Sequence, residues 1–266
     1  MTGIRGLVLS ILESSRAAST SDVERVEARG GVQLMPRAPL PPVRFSGVSA
    51  PGALNEPLRG VVVNVWLRTA RAEYASVFAF ENASTHLKRL GAPHALLKRT
   101  EAARRDEIVH ASLAFNLVGR LGGHVVQPGL LRNTRTPAST LAAFAAATVR
   151  NACIQQTMAL TVAATRLRYA EDRRVIRVLE TMVADETRHA ELAWDTLRWA
   201  LRAGGREVWK AVTRAFAEPR PCVQGPHLPR AAAAYGVLSA RDLDDVVRRC
   251  MDDWIRPEAR RLLGTL

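Results

Sequence analysis

The sequence predicts an all-α protein built on four long helices with one long crossover. Three observations carry this. Four segments of helical spacing follow one another with almost no internal Gly or Pro. Two of the links between them are short and the middle one is long, which places the first pair and the second pair as antiparallel neighbours. No stretch shows sustained period-two alternation of Val, Ile and aromatic residues, so no sheet is expected.

The elements follow in order. Residues 1–57 form an N-terminal arm, rich in Ser and Gly, with a cluster at Pro36, Pro39, Pro41 and Pro42. Asn55 and Pro57 are start signals for a helix over 58–90, which Gly91-Ala92-Pro93 ends. A second helix spans 94–121 and stops at Gly122-Gly123. A loop with Pro128, Gly129 and Pro137 leads to a third helix over 138–169. A fourth spans 172–203 and stops at Gly204-Gly205. These four make one domain, 58–203. A C-terminal helical extension, 204–266, is expected to pack on it. Helices at 206–217 and 240–255 flank a break with Pro219, Pro221, Pro226 and Pro229, and Ser239 with Asp242 caps the last.

Composition narrows the function. Apolar residues are 47% of the 266 and aromatics 5%, so the core must be mostly Ala, Leu and Val. No apolar run reaches the ~18–20 residues of a membrane span. The opening MTGIRGLVLSILESSR is a poor secretory signal, since Glu13 and Arg16 follow its apolar stretch at once; a cytoplasmic location is expected, with export the alternative. Cys153, Cys222 and Cys250 are odd in number, widely spaced and match no zinc pattern, which points to a reducing compartment. The net charge of +13 invites a nucleic-acid reading. Only Lys88, Lys98 and Lys210 among 38 basic residues are lysines, an imbalance typical of GC-rich coding, and no aromatic-basic ladder accompanies it. Nucleic acid is therefore not the expected partner.

The chemistry lies in a repeated motif. Helix two carries Asp106-Glu107-Ile108-Val109-His110-Ala111 and helix four Asp185-Glu186-Thr187-Arg188-His189-Ala190. Chance predicts about 0.3 E-x-x-H pairs in this composition, and here two occur, each preceded by Asp and followed by Ala. Residues i and i+3 share a helix face, so each Glu and its His point the same way. Their stripes are apolar: Ala103, Ala114 and Leu117 on one, Leu179, Met182, Val183 and Ala193 on the other. Buried carboxylates cost several kcal/mol unless paired or bound to metal. Two inward Glu-His pairs therefore predict a metal site. Helix one offers Glu73 on the stripe of Trp66, Ala70, Val77 and Phe80. The corresponding position of helix three holds no carboxylate, and Gln156 faces inward best there.

This pattern resembles the ferritin-like superfamily of carboxylate-bridged di-metal four-helix proteins, and more narrowly a group of uncharacterised bacterial ferritin-like domain proteins. The resemblance rests on W-L-R-T-A-R-A-E-Y-A-S-V-F-A-F (66–80), G-A-P (91–93), D-E-I-V-H-A (106–111) and D-E-T-R-H-A-E-L-A-W (185–194), and covers about 60–203. It implies that Glu73, Glu107, His110, Glu186 and His189 are metal ligands. Relatives usually carry Glu in place of Gln156, in a segment that here reads A-C-I-Q-Q-T, and often His in place of Tyr74. The resemblance also implies a supporting layer. Asp106 and Asp185 each accept a hydrogen bond from a ligand His on the opposite helix, Arg188 tethers an Asp, and Tyr74 lies beside the ions.

The implied cofactor is two iron ions, or another divalent metal such as Mn. An amide at Gln156 offers only a neutral oxygen, so two ions would meet three carboxylates and leave one positive charge; a single ion is the alternative. The implied function is oxidoreductase chemistry, a diiron oxidase or oxygenase using dioxygen on an unidentified small molecule. Alternatives are non-catalytic iron binding or storage, a degenerate member, and hydroxylation of a modified tRNA base. A homo-oligomer is compatible with all of them.

Overall fold

A computed structural model describes residues 54–122, 140–218 and 230–264, with positions 124, 126, 128 and 228. Most of the N-terminal arm, the Pro-rich break, Cys222 and His227 lie outside the described residues. The described chain is all-helical.

Helix α1 (Glu56–Arg89) begins where Asn55 Oδ1 accepts the Leu58 N–H at 3.1 Å, and Pro57 occupies its first turn. It ends at Gly91, whose φ of +70° suits a residue without a Cβ; the Ala92 N–H there bonds back to the Leu87 carbonyl. Helix α2 (His94–Gly122) returns along α1, and the two pack over their whole length. Helix α3 (Leu141–Thr148) is capped by Thr140 Oγ1, which accepts the Ala143 N–H. A single π turn, Val149–Cys153, joins α3 to α4 (Ile154–Tyr169), and its wide hydrogen bond runs from the Ile154 N–H to the Val149 carbonyl. Helix α5 (Arg173–Ala217) starts at Asp172, a buried cap that accepts the N–H groups of Arg174 and Val175. The expected stop at Gly204-Gly205 is a kink: Gly205 takes φ 57°, ψ −144°, and the helix resumes beyond it.

The α3–α4 rod and α2 both pack on α5. Beyond them a 3₁₀ turn (Arg230–Tyr235) lies on α1 and α4, α6 (Ala240–Cys250) on α4, and α7 (Arg256–Gly264) on α5. The last helix was expected to stop near 255. Instead a π turn at Met251–Ile255 carries it on into α7. Pro257 accounts for the widening, since it has no N–H to return to the carbonyl four residues back.

Two apolar layers hold the helices together. The first joins Val62, Trp66 and Ala70 of α1 to Leu117 and Val118 of α2, Leu160 of α4, and Val175, Val178 and Leu179 of α5. The second joins Ala145, Val149 and Ile154 to Trp194, Leu197 and Ala200, and reaches Cys250 and Ile255 of the C-terminal helices. Each fully buried Leu in these layers contributes about 1.5–3 kcal/mol. Along α5 the first layer ends at Ala190 and the second begins at Ala193, so Glu186 and His189 lie in the last two turns of the first layer, close to where the second takes over.

A buried cation stiffens the first layer. Arg166 sits with its guanidinium 4.1 Å above the Trp66 ring and donates to the Gly236 carbonyl at 2.5 Å. The Trp66 indole donates to the Tyr235 carbonyl at 2.9 Å. Together they pin the chain that follows the 3₁₀ turn.

Candidate metal centre

The two D-E-x-x-H motifs meet near the end of the first layer. Glu107, His110, Glu186 and His189 are 1%, 0%, 4% and 1% exposed, in a chain whose charged residues otherwise sit largely at the surface. The imidazole rings are 5.9 Å apart, centroid to centroid. Glu73 of α1 reaches the same point, with Oε2 3.5 Å from His110 Nδ1.

The contacts divide into two groups. His110 Nδ1 faces Glu73 Oε2 at 3.5 Å, Glu186 Oε1 at 3.6 Å and Glu107 Oε2 at 3.7 Å. His189 Nδ1 faces Glu107 Oε1 at 3.2 Å and Glu186 Oε2 at 3.6 Å. Glu107 and Glu186 thus each turn one oxygen to each histidine, as a bridging carboxylate does. Glu73, Glu107, His110 and Glu186 offer four ligand atoms that all lie within 4.8 Å of one another.

These atoms do not satisfy each other. Both Glu107 oxygens, Glu186 Oε2 and the Nδ1 atoms of His110 and His189 are buried without a hydrogen-bond partner, and Gln156 Oε1 joins them. Most of their separations exceed hydrogen-bond length. They suit ligands held ~2.1 Å from a shared ion, which lie ~3.4 Å apart at tetrahedral angles. Leaving so many buried polar atoms unpaired would cost about 1–3 kcal/mol each. The donor set of carboxylates and imidazoles, orphaned around a common centre, fits divalent metal ions.

A second ring of residues holds the ligands. His110 Nε2 lies 3.0 Å from Asp185 Oδ2, on the opposite helix, and His189 Nε2 lies 3.1 Å from Asp106 Oδ2. The exchange is reciprocal: each motif's Asp fixes the other motif's His, and so directs both Nδ1 atoms inward. Arg188 donates to both aspartates, to Asp185 Oδ1 at 2.5 Å and Asp106 Oδ2 at 3.1 Å.

The electrostatics follow. Burial opposes charge on both imidazoles. For His110, Asp185, Glu107 and Glu73 overcome it and hold the pKa well above its ordinary value. For His189, Asp106, Glu107 and Glu186 do so, to about 11. Burial raises the Glu186 carboxyl. Burial also works against charge on Asp185, but His110 and Arg188 outweigh it and keep that carboxyl low.

Two other residues complete the placement. Gln156 is half-buried and lines a cavity that His189 also lines, with Oε1 unpartnered. Tyr74 makes an edge-to-face contact with Phe78, 5.6 Å between centroids, and packs against the first apolar layer; among the described residues no hydrogen bond ties it to the cluster. His86 is half-buried in the cavity with its ring 5.9 Å from Phe144. Its isolation in sequence gave no hint of this, because the burying surface comes from α3.

No family model, curated protein or solved structure matches the chain. Among the described residues no helix is long and apolar enough to cross a membrane.

Proposed function

We propose that the chain is a ferritin-like four-helix protein that holds two divalent ions, iron foremost, and acts as an oxidoreductase on a small molecule with dioxygen as oxidant. One observation carries the reading: the orphaned ligand atoms of Glu107, Glu186, His110 and His189, converging with Glu73 between the helices. Glu73, Glu107, His110, Glu186 and His189 would hold the ions, with the Gln156 oxygen available on the His189 side. The ions would supply redox equivalents and open positions for dioxygen, in a site whose surroundings are largely apolar.

The residues of the chain have separable tasks. Asp106 and Asp185 keep the Nε2 protons, so that Nδ1 is the free donor atom. Arg188 clamps the two aspartates and with them the relative setting of α2 and α5. The apolar layers on either side limit water. Charge also supports two ions. Glu73, Glu107, Glu186, Asp106 and Asp185 carry five negative charges and Arg188 returns one. Two divalent ions on neutral imidazoles balance the remaining four. The surplus positive charge expected from the missing carboxylate at Gln156 is thus offset by the outer Asp-Arg-Asp group.

The test is elemental analysis of aerobically purified protein beside Glu186→Ala, with dioxygen uptake followed after adding ferrous iron. The expected result is bound transition metal in the wild type, its loss in Glu186→Ala, and uptake only in the wild type. Equal metal in both proteins would refute the site. Metal without dioxygen uptake would leave an iron-binding protein in place of an oxidoreductase.

A further inference from the structure

Beside the ligand cluster the helices enclose a cavity of about 600 Å³, within the range of small-molecule sites. Helices α1 to α5 wall it, together with the π turn. Ala79, Ala143 and Asn151 stand exposed at its rim; His189 and Gln156 line its inner end. It therefore reaches the ligand cluster from the His189 side, since neither His110 nor Glu73 lines it.

Its chemistry is selective. In a chain 24% of whose residues are charged, no Asp, Glu, Lys or Arg lines it. Phe80, Phe144, Leu192 and a run of alanines supply most of the surface, and Phe80 meets the His189 ring edge-on at 5.2 Å. The hydroxyls of Thr100 and Thr148 donate to main-chain carbonyls of their own helices, Leu96 at 2.8 Å and Phe144 at 2.9 Å, which leaves them only acceptor capacity toward the cavity. Gln156 Oε1 is a buried acceptor with no donor.

We infer that this cavity binds an uncharged, largely apolar molecule carrying a hydrogen-bond donor, a phenol or alcohol in type, with its donor end on Gln156 Oε1. A cationic ligand would lose its hydration without meeting a counter-charge, and an anionic one would find at the inner end only His189, whose charge Asp106, Glu107 and Glu186 already face. That this ligand is the substrate rests on the di-metal reading; the cavity and its preference do not.

The probe is N-phenyl-1-naphthylamine, neutral and apolar with one N–H donor, titrated into the full chain by fluorescence. Three competitors of one size separate the charge types: 1-naphthol, 1-naphthoate and 1-naphthylmethylammonium. We expect one probe site per chain, displaced by 1-naphthol at least tenfold more effectively than by either ion. Ala83→Trp and Ala147→Trp, which fill the cavity from different helices, should each weaken the probe at least tenfold at unchanged metal content. Equal displacement by all three competitors, or binding that survives both substitutions in folded protein, overturns the proposal. A protein that retains metal but binds no probe overturns it and leaves the metal centre standing. Probe binding by a chain that takes up no metal upholds the cavity and removes the metal reading.

Discussion

Replacing Asp185 by Asn tests whether the outer carboxylates work through the histidines. Asp185 Oδ2 receives His110 Nε2 at 3.0 Å, and its other oxygen receives Arg188 at 2.5 Å. Asparagine keeps one acceptor oxygen but loses the charge, and its amide must turn an NH₂ toward either the imidazole or the guanidinium. Losing such a support typically weakens metal binding 10–100-fold, about 1.4–2.8 kcal/mol. One effect opposes this. Asp185 is the strongest of the partners that raise the His110 pKa, so its removal also lowers the proton's hold on the site. Because His110 titrates well above its ordinary value in the wild type, protons compete more strongly there than in the variant. The affinity loss should therefore be smaller at pH 6 than at pH 8. Competition of Co(II) or Mn(II) against a chromophoric chelator at both pH values reads the two effects together. Asp245→Asn, which breaks only the exposed pair with Arg248, is the control. An Asp185→Asn protein with wild-type affinity at pH 8 would refute the coupling between Asp185 and the metal.

Other outcomes can be checked in parallel. Loading at neutral pH should release close to one proton from each of His110 and His189, whose raised pKa values keep them protonated without metal; calorimetry in two buffers of different ionisation enthalpy measures it. Linkage gives the matching stability change: with the His189 pKa raised from 6.5 to about 11, its contribution to the metal-free protein is full below pH 6.5 and fades as pH rises toward 11. Metal-free protein should therefore melt at a lower temperature at pH 9 than at pH 6.5, an effect that bound metal removes. Gln156→Glu should tighten the His189 position and raise the metal-to-protein ratio at limiting metal, read by native mass spectrometry. Gly236→Ala should cost about 1–3 kcal/mol in urea denaturation, because φ is +67° and the new Cβ would meet Val175 Cγ1 at 2.9 Å.

Much of the candidate site was legible because its logic is local. E-x-x-H sets two side chains on one helix face wherever the helix goes, and the apolar stripe around each pair says which way that face turns. Glu73 was accessible by the same stripe argument. The helix limits were readable from Asn55 and Ser239 at starts and from Gly91 at a stop. What escaped the sequence was non-local. Nothing near His86 says that Phe144 will cover it. Arg166 has no acidic residue at helical spacing to signal burial, and its partners, Trp66 and Gly236, lie far away in the chain. The expected end near 255 missed the continuation into α7, because no periodicity in the sequence marks the π turn at Met251–Ile255 that carries the chain on to Pro257.

The π turn between α3 and α4 has a consequence for how this rod can vary. A turn closed five residues back holds one residue more than an ordinary helical turn, as the Ile154 to Val149 bond shows. Removing one residue from 149–153 would let that turn close four back, with Phe144 still seated above it and Gln156 and Leu160 still aimed as they are below. The same excision at Ala159, within regular helix, would swing everything beyond it by ~100° and carry Arg166 away from Trp66. Length changes in this rod should thus be tolerated at one point along it, the stretch that walls the cavity.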